Sequence, residues 1–88
     1  MGDTERLVRI FKALAVDNRV QILQLLKERS LCVNALAARL DITPAAVSQH
    51  LRILRDADLL ESDKRGNFVH YRVNADTLEK WREQKKYQ

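Results

Sequence analysis

Ten consecutive residues, Thr43-Pro44-Ala45-Ala46-Val47-Ser48-Gln49-His50-Leu51-Arg52, concentrate most of the chemistry of this chain. Thr43 brings the hydroxyl that caps a helix start. Pro44 suits the first helical position, where its missing N–H would have no intrahelical partner anyway. Val47, Leu51 and Leu54 recur at i, i+4 and i+7, so one stripe of the helix faces a core. At about 100° per residue, Ala45, Gln49 and Arg52 fall on the opposite side, flanked by Ala46 and Ser48. That outer face is slim, hydrogen-bonding and basic. A helix that enters the major groove needs those properties: room to fit, amides or hydroxyls for base edges, and positive charge for phosphate. An ordinary amphipathic surface helix shows the same apolar stripe, so the rest of the chain must decide between the two readings.

Other reactive side chains are few: one cysteine, Cys32, and two histidines, His50 and His70. A single cysteine excludes an internal disulfide framework and fits a reducing cytoplasm. There is no nucleophile–base constellation and no glycine-rich phosphate loop, and the carboxylates are scattered over helix surfaces. An enzyme is the weakest option. The net charge of +4 tilts toward polyanionic partners. The tilt is evenly spread: residues 1–42 hold seven Lys/Arg against five Asp/Glu, and residues 43–88 hold nine against seven. No basic tail or charge block appears.

The 88 residues make one small domain, 1–88, whose surface is only partly buried on folding, so dimerisation is a natural remedy. The start, Met1-Gly2-Asp3-Thr4-Glu5, lacks the basic and apolar runs of a signal peptide. No apolar stretch approaches the roughly 20 residues that span a bilayer. The expected location is the cytoplasm, with no membrane partner.

Periodicity supplies the elements that must hold the reading helix. Residues 4–15 read as a helix with Leu7, Ile10, Phe11 and Leu14 on one face, widened by Val8 and Ala15. Asp17-Asn18 can cap a second helix to Lys27, whose Val20, Ile22, Leu23, Leu25 and Leu26 leave almost no polar side, the pattern of a central buried helix. Ser30-Leu31-Cys32-Val33 is a connector able to hold a short extended piece. A third helix follows through Leu36, Ala37 and Leu40, and Asp41-Ile42 is the tight turn before the reading helix. After Asp58 the period changes. Residues 59–63 and 68–73 flank Lys64-Arg65-Gly66-Asn67, and Val69/Tyr71/Val73 alternate with Phe68/His70/Arg72 as in a half-buried strand. This is a hairpin around a four-residue turn with Lys64 and Arg65 at its tip. Asn74 then caps a last helix with Asp76 in its first turn and Lys85-Lys86 in its last; Ala75, Leu78 and Trp81 are its only apolar side. Four helices, a hairpin and a helix give the expected fold class: mainly α with a small β-hairpin wing, the winged helix-turn-helix.

Phe11-Lys12-Ala13-Leu14-Ala15, Arg19-Val20-Gln21-Ile22-Leu23, Leu31-Cys32-Val33, Leu36-Ala37, Val47-Ser48-Gln49-His50-Leu51, Leu54-Arg55-Asp56-Ala57-Asp58-Leu59 and Gly66-Asn67-Phe68-Val69-His70-Tyr71-Arg72-Val73 follow one another at fixed spacing. Together they resemble the ArsR-type family of bacterial and archaeal repressors, the arsenic- or metal-responsive regulators, over residues 7–74 without a gap. The resemblance implies a homodimer built from the first and last helices, a recognition helix in successive major grooves of a palindrome, and an effector that lowers DNA affinity. The residues agree on the dimer, with Leu7, Ile10, Phe11 and Leu14 of the first helix and Leu78 and Trp81 of the last as the expected interface. Trp81 could instead fold back on its own domain.

The departure from the family lies in its metal chemistry. Relatives that bind soft metals at the third helix carry a Cys-Val-Cys pair; here the positions read Cys32-Val33-Asn34, followed by Ala35. One thiolate without Cys or His partners does not complete a tetrahedral site. Another family site uses Asp and His on the last helix, where this chain has Asp76 and no histidine. His50 follows the family pattern and reads as a packing or phosphate-contacting residue. His70, opposite Val69 and Tyr71, reads as solvent-exposed or phosphate-contacting. Cys32 stays open between a small apolar-like side chain and a reactive thiol near a helix N-terminus.

The leading expectation is thus a sequence-specific, homodimeric repressor with no cofactor, an effector other than a soft metal, and double-stranded DNA and its own second copy as partners. Ala45, Ala46, Ser48 and Gln49 are the expected base contacts, Arg52 contacts base or phosphate, and Thr43 with the helix start holds a phosphate. His50, Arg19, Lys64, Arg65 and Arg72 are expected on phosphates. Two alternatives stand beside this: a winged-helix module that binds another protein, and a regulator that responds through its single cysteine.

Overall fold

The structure, a computed structural model, describes residues 2–77 and 79. Its elements are α1 (Asp3–Ala13), α2 (Asp17–Glu28), β1 (Leu31–Cys32), α3 (Val33–Leu40), α4 (Pro44–Asp56), β2 (Leu60–Arg65) and β3 (Phe68–Val73). Residues 75–77 and 79 are helical again, started by Asn74, whose Oδ1 accepts from the backbone N–H groups of Asp76 and Thr77 at 3.1 and 3.3 Å. Leu78 and Trp81, expected at a dimer interface, lie outside the described residues. No helix among the described residues is long and apolar enough to cross a membrane.

The stripe Val47, Leu51 and Leu54 of α4 does face the core, joined there by Ile22, Leu36 and Leu59, all almost wholly inaccessible. Burial of each such side chain contributes about 1.5–3 kcal/mol, so α4 is fixed by its inner face and leaves the outer one to other uses. The second helix differs from expectation. Only Ile22, Leu23 and Leu26 of α2 are buried, while Val20 and Leu25 are half-buried and Gln21, Gln24, Lys27 and Glu28 reach solvent. In a domain this small, neighbours cover one side of a helix, and extra leucines end at the margin. Asp17 is also not the cap: Val16 holds that position without a side-chain bond, and Asp17 lies in the first turn, where its carboxylate meets the positive end of the helix dipole.

The sheet has three antiparallel strands in the order β1-β3-β2. β1 is the short extended piece of the connector, with Leu31 opposite Tyr71 and Cys32 opposite His70. The hairpin turn is tighter than expected. Lys64 and Arg65 stay in β2, opposite Val69 and Phe68, and only Gly66-Asn67 lies between the strands. Gly66 takes φ +61 while Asn67 keeps a negative φ, the pattern of a type II′ turn, whose twist matches that of the strands and lets pairing run to the tip. Leu31, Tyr71 and Val73 pack on the core together with buried Leu60; Glu61, Asp63, Arg65, His70 and Arg72 share the other face.

Candidate nucleic-acid interface

The link between α3 and α4 is built by its own residues. Asp41 ends α3 in the left-handed region (φ 55, ψ 46), and its N–H and that of Ile42 both turn back to the Ala37 carbonyl. Two residues on, the Oγ1 of Thr43 accepts from the Ala46 N–H at 3.1 Å and Pro44 opens the helix. Such a cap contributes about 0.5–2 kcal/mol. It also commits the oxygen of Thr43 as an acceptor, so the side chain has its hydroxyl proton left for a phosphate.

With Val47, Leu51 and Leu54 inward, Ala45, Ser48, Gln49 and Arg52 stand exposed on one face of α4, and Ala46 and His50 sit half-buried at its rim. The structure therefore brings together the residues expected to read bases. Arg19 is placed differently. Its Nε donates to Nδ1 of His50 at 3.3 Å, and its Nη1 donates to the carbonyls of Lys12 and Ala13 at 3.3 and 3.4 Å. An arginine expected on phosphate is thus engaged within the protein, across a separation of 31 residues that no local pattern reveals.

Burial, and next the charge of Arg19, hold the His50 imidazole below its ordinary pKa of 6.5. The unfolded chain takes up this proton near pH 6.5 while the folded chain does not. The stability that His50 supplies is therefore complete above that pH and is lost as the pH falls through the lower folded value. Urea unfolding between pH 7.5 and 5 should show wild type losing more stability on acidification than His50→Gln; equal losses would contradict the lowered value.

The wing residues divide between two faces. Lys64 is exposed on the face that carries Tyr71 and Val73, whereas Arg65 and Arg72 lie on the opposite one. Arg65 Nε meets Asp63 Oδ2 at 3.2 Å and Arg72 Nε meets Glu61 Oε2 at 3.0 Å. Exposed pairs of this kind contribute at most about 1 kcal/mol, so either arginine can exchange its partner for a phosphate. Both also line an open cavity of about 510 Å³ with Lys27 and Arg29 and with Glu28 and Glu79, a surface of mixed charge that the sequence does not disclose because its parts come from α2, the connector, the sheet and the residues after it. His70 departs from expectation too: it is half-buried, and its Nδ1 is buried without a hydrogen-bond partner. Its cross-strand neighbours are Cys32 and Asp63, and the pairing of β1 with β3, which the sequence does not disclose, is what puts Cys32 there.

Cys32 occupies the N-cap position of α3 with no side-chain cap bond and is half-buried. Among the described residues no group of three His, Cys, Asp or Glu side chains is arranged to hold a metal ion. The apolar face of α1 is also divided. Ile10 is buried in the chain's own core, Leu14 packs against that core and Leu7 is half-buried. Val8 and Phe11, 45% and 54% exposed, are the large apolar side chains that α1 turns outward. Ile10, expected at a dimer interface, is placed in the core of its own chain.

A helix-turn-helix whose second helix shows a polar outer face, followed by a hairpin on the same core, defines a winged helix-turn-helix protein. The profile of the bacterial regulatory proteins of the arsR family matches residues 17–62. The chain is 41% identical over 68 residues to the arsenical resistance operon repressor of Escherichia coli K12, covering 76% of this chain and 58% of that protein. Its fold is similar to an ArsR-like transcriptional regulator from Rhodococcus sp. RHA1 (TM-score 0.91, 30% identity, 99% of this chain and 82% of the other). It is also similar to the homodimeric winged helix-turn-helix DNA-binding domain of Mb0332 from Mycobacterium bovis, described as a possible ArsR-family transcriptional regulator (TM-score 0.81, 27% identity, 96% and 79% covered). The chain belongs to the ArsR family, whose members are transcriptional regulators rather than enzymes.

Proposed function

We propose that this chain is a sequence-specific DNA-binding regulator that acts as a homodimeric repressor on a palindromic operator. The observation that carries the reading is α4 itself: Val47, Leu51 and Leu54 anchor it, while Ala45, Ser48, Gln49 and Arg52 face outward together. A homodimeric DNA-binding neighbour supports the assembly, and several relatives that are repressors, beside one that is an activator, favour repression as the sign of regulation. Two-fold pairing places the half-sites about one helical turn, roughly 34–36 Å, apart. Selection of bound duplexes from a random pool tests the reading. A recovered imperfect palindrome is the expected result, and wild-type protein without preference for any duplex at moderate salt would overturn it.

The effector in this reading is not a soft metal, since such an ion needs several converging thiolates or imidazoles and α3 begins with Cys32 alone. Cys32→Ser should leave operator affinity, and its response to arsenite, cadmium or zinc, unchanged. A metal-induced loss of more than about tenfold that disappears in Cys32→Ser would show Cys32 to be a ligand.

A further inference from the structure

Arg19 reaches from α2 to two other helices at once. Nη1 holds the carbonyls of Lys12 and Ala13, the last two residues of α1, and Nε holds Nδ1 of His50 in α4. A guanidinium is always protonated and only donates, so Nδ1 of His50 must be the acceptor. In a neutral imidazole the proton then resides on Nε2. The ring is left with one defined donor, on the helix that presents Ser48 and Gln49 outward and at the rim of that face.

We propose that Arg19 is a positioning residue for DNA recognition: it locks His50 in the Nε2–H form, so that the ring offers a single fixed donor to a phosphate oxygen, and it ties the end of α1 to the reading helix. The proposal rests on the DNA-binding reading above. It assigns Arg19 a role that its charge alone does not suggest, since two of its nitrogens are already engaged with the protein. Burial and the guanidinium both favour the neutral ring, in keeping with this arrangement. The link also has direction. α1 carries exposed Val8 and Phe11, so whatever pairs with that helix is joined through the Lys12 and Ala13 carbonyls and one side chain to the DNA-reading surface.

The test has two arms. Long-range proton–nitrogen spectra of the imidazoles in the free protein at pH 7.5 should show wild-type His50 with an unprotonated Nδ1 and a protonated Nε2. Arg19→Met, which keeps the apolar stem, and Arg19→Lys, which keeps the charge, should both give a mixture of tautomers. In the second arm, Arg19→Met and His50→Ala should each lower affinity for the selected duplex about five- to tenfold, and the double variant should be no weaker than His50→Ala alone. An unchanged tautomer in both Arg19 variants would overturn the proposal. So would losses that multiply in the double variant with a salt slope smaller by about one unit, the signature of Arg19 contacting phosphate itself. Absence of any duplex preference in wild type would sink the DNA-binding reading and this proposal with it; a locked tautomer in the first arm would then show that the Arg19–His50 contact itself is real.

Discussion

An aspartate in place of Phe11 is expected to turn the protein into a folded monomer and to weaken operator binding by about 10²–10⁴-fold. Phe11 is 54% exposed on α1, one residue from buried Ile10, so the substitution changes the surface and not the core. If the two copies meet through this helix, a carboxylate there is desolvated without a partner, which costs several times more than the apolar contact it replaces. The loss on DNA is larger than the loss at any single contact. Two linked reading helices bind with an effective local concentration that one alone does not have, and that linkage accounts for the 10²–10⁴-fold. Sedimentation equilibrium and operator titration on the same sample check both halves. A Phe11→Asp monomer that binds the full operator as tightly as wild type would refute the dimeric reading.

Gln49→Ala and Arg52→Ala are each expected to cost about 1–3 kcal/mol on the selected duplex. Both side chains are exposed on the outer face of α4, and an amide or guanidinium that pairs with a base edge loses two hydrogen bonds when truncated. The loss should be confined to duplexes carrying the cognate base, so that the truncated proteins discriminate less at that position. Lys64→Ala gives the contrast: weaker binding to all duplexes alike and a salt slope smaller by about one unit, because a phosphate contact carries no base information. A loss for Gln49→Ala that is equal on cognate and scrambled duplexes would move that residue from reading to backbone contact.

The reading helix was legible because everything that defines it is local. Thr43 and Pro44 set its start, and the three apolar positions of its stripe set its orientation; each is visible within a dozen residues. The order of elements was legible for the same reason. What remained hidden depends on distance or on absolute burial. The Arg19–His50 contact joins residues 31 apart, and charge type alone pointed Arg19 toward phosphate. The connector could be read as holding a short extended piece, but two residues such as those of β1 have no period to show which strand they pair with. In α1, Ile10 and Phe11 both fit an apolar face, yet consecutive residues point about 100° apart, and only the packed neighbours decide that one goes inward. Gly66 signalled a turn, but its φ of +61, which makes two residues sufficient, is a property of the folded hairpin.

The strand order β1-β3-β2 places its least sociable strands on the outside. β1 offers only two residues of free edge, and β2 follows Leu60 with Glu61, Ser62, Asp63, Lys64 and Arg65. A short or charged edge is a poor template for another chain, so both edges disfavour strand addition from another molecule. The apolar residues turned outward on α1 offer a different kind of contact. Helical faces related by a two-fold axis satisfy each other once and stop. Among the described residues, strand addition at those two edges is therefore disfavoured, while Val8 and Phe11 on α1, like Phe68 and Val69 on the wing, leave apolar surface for contacts of another kind.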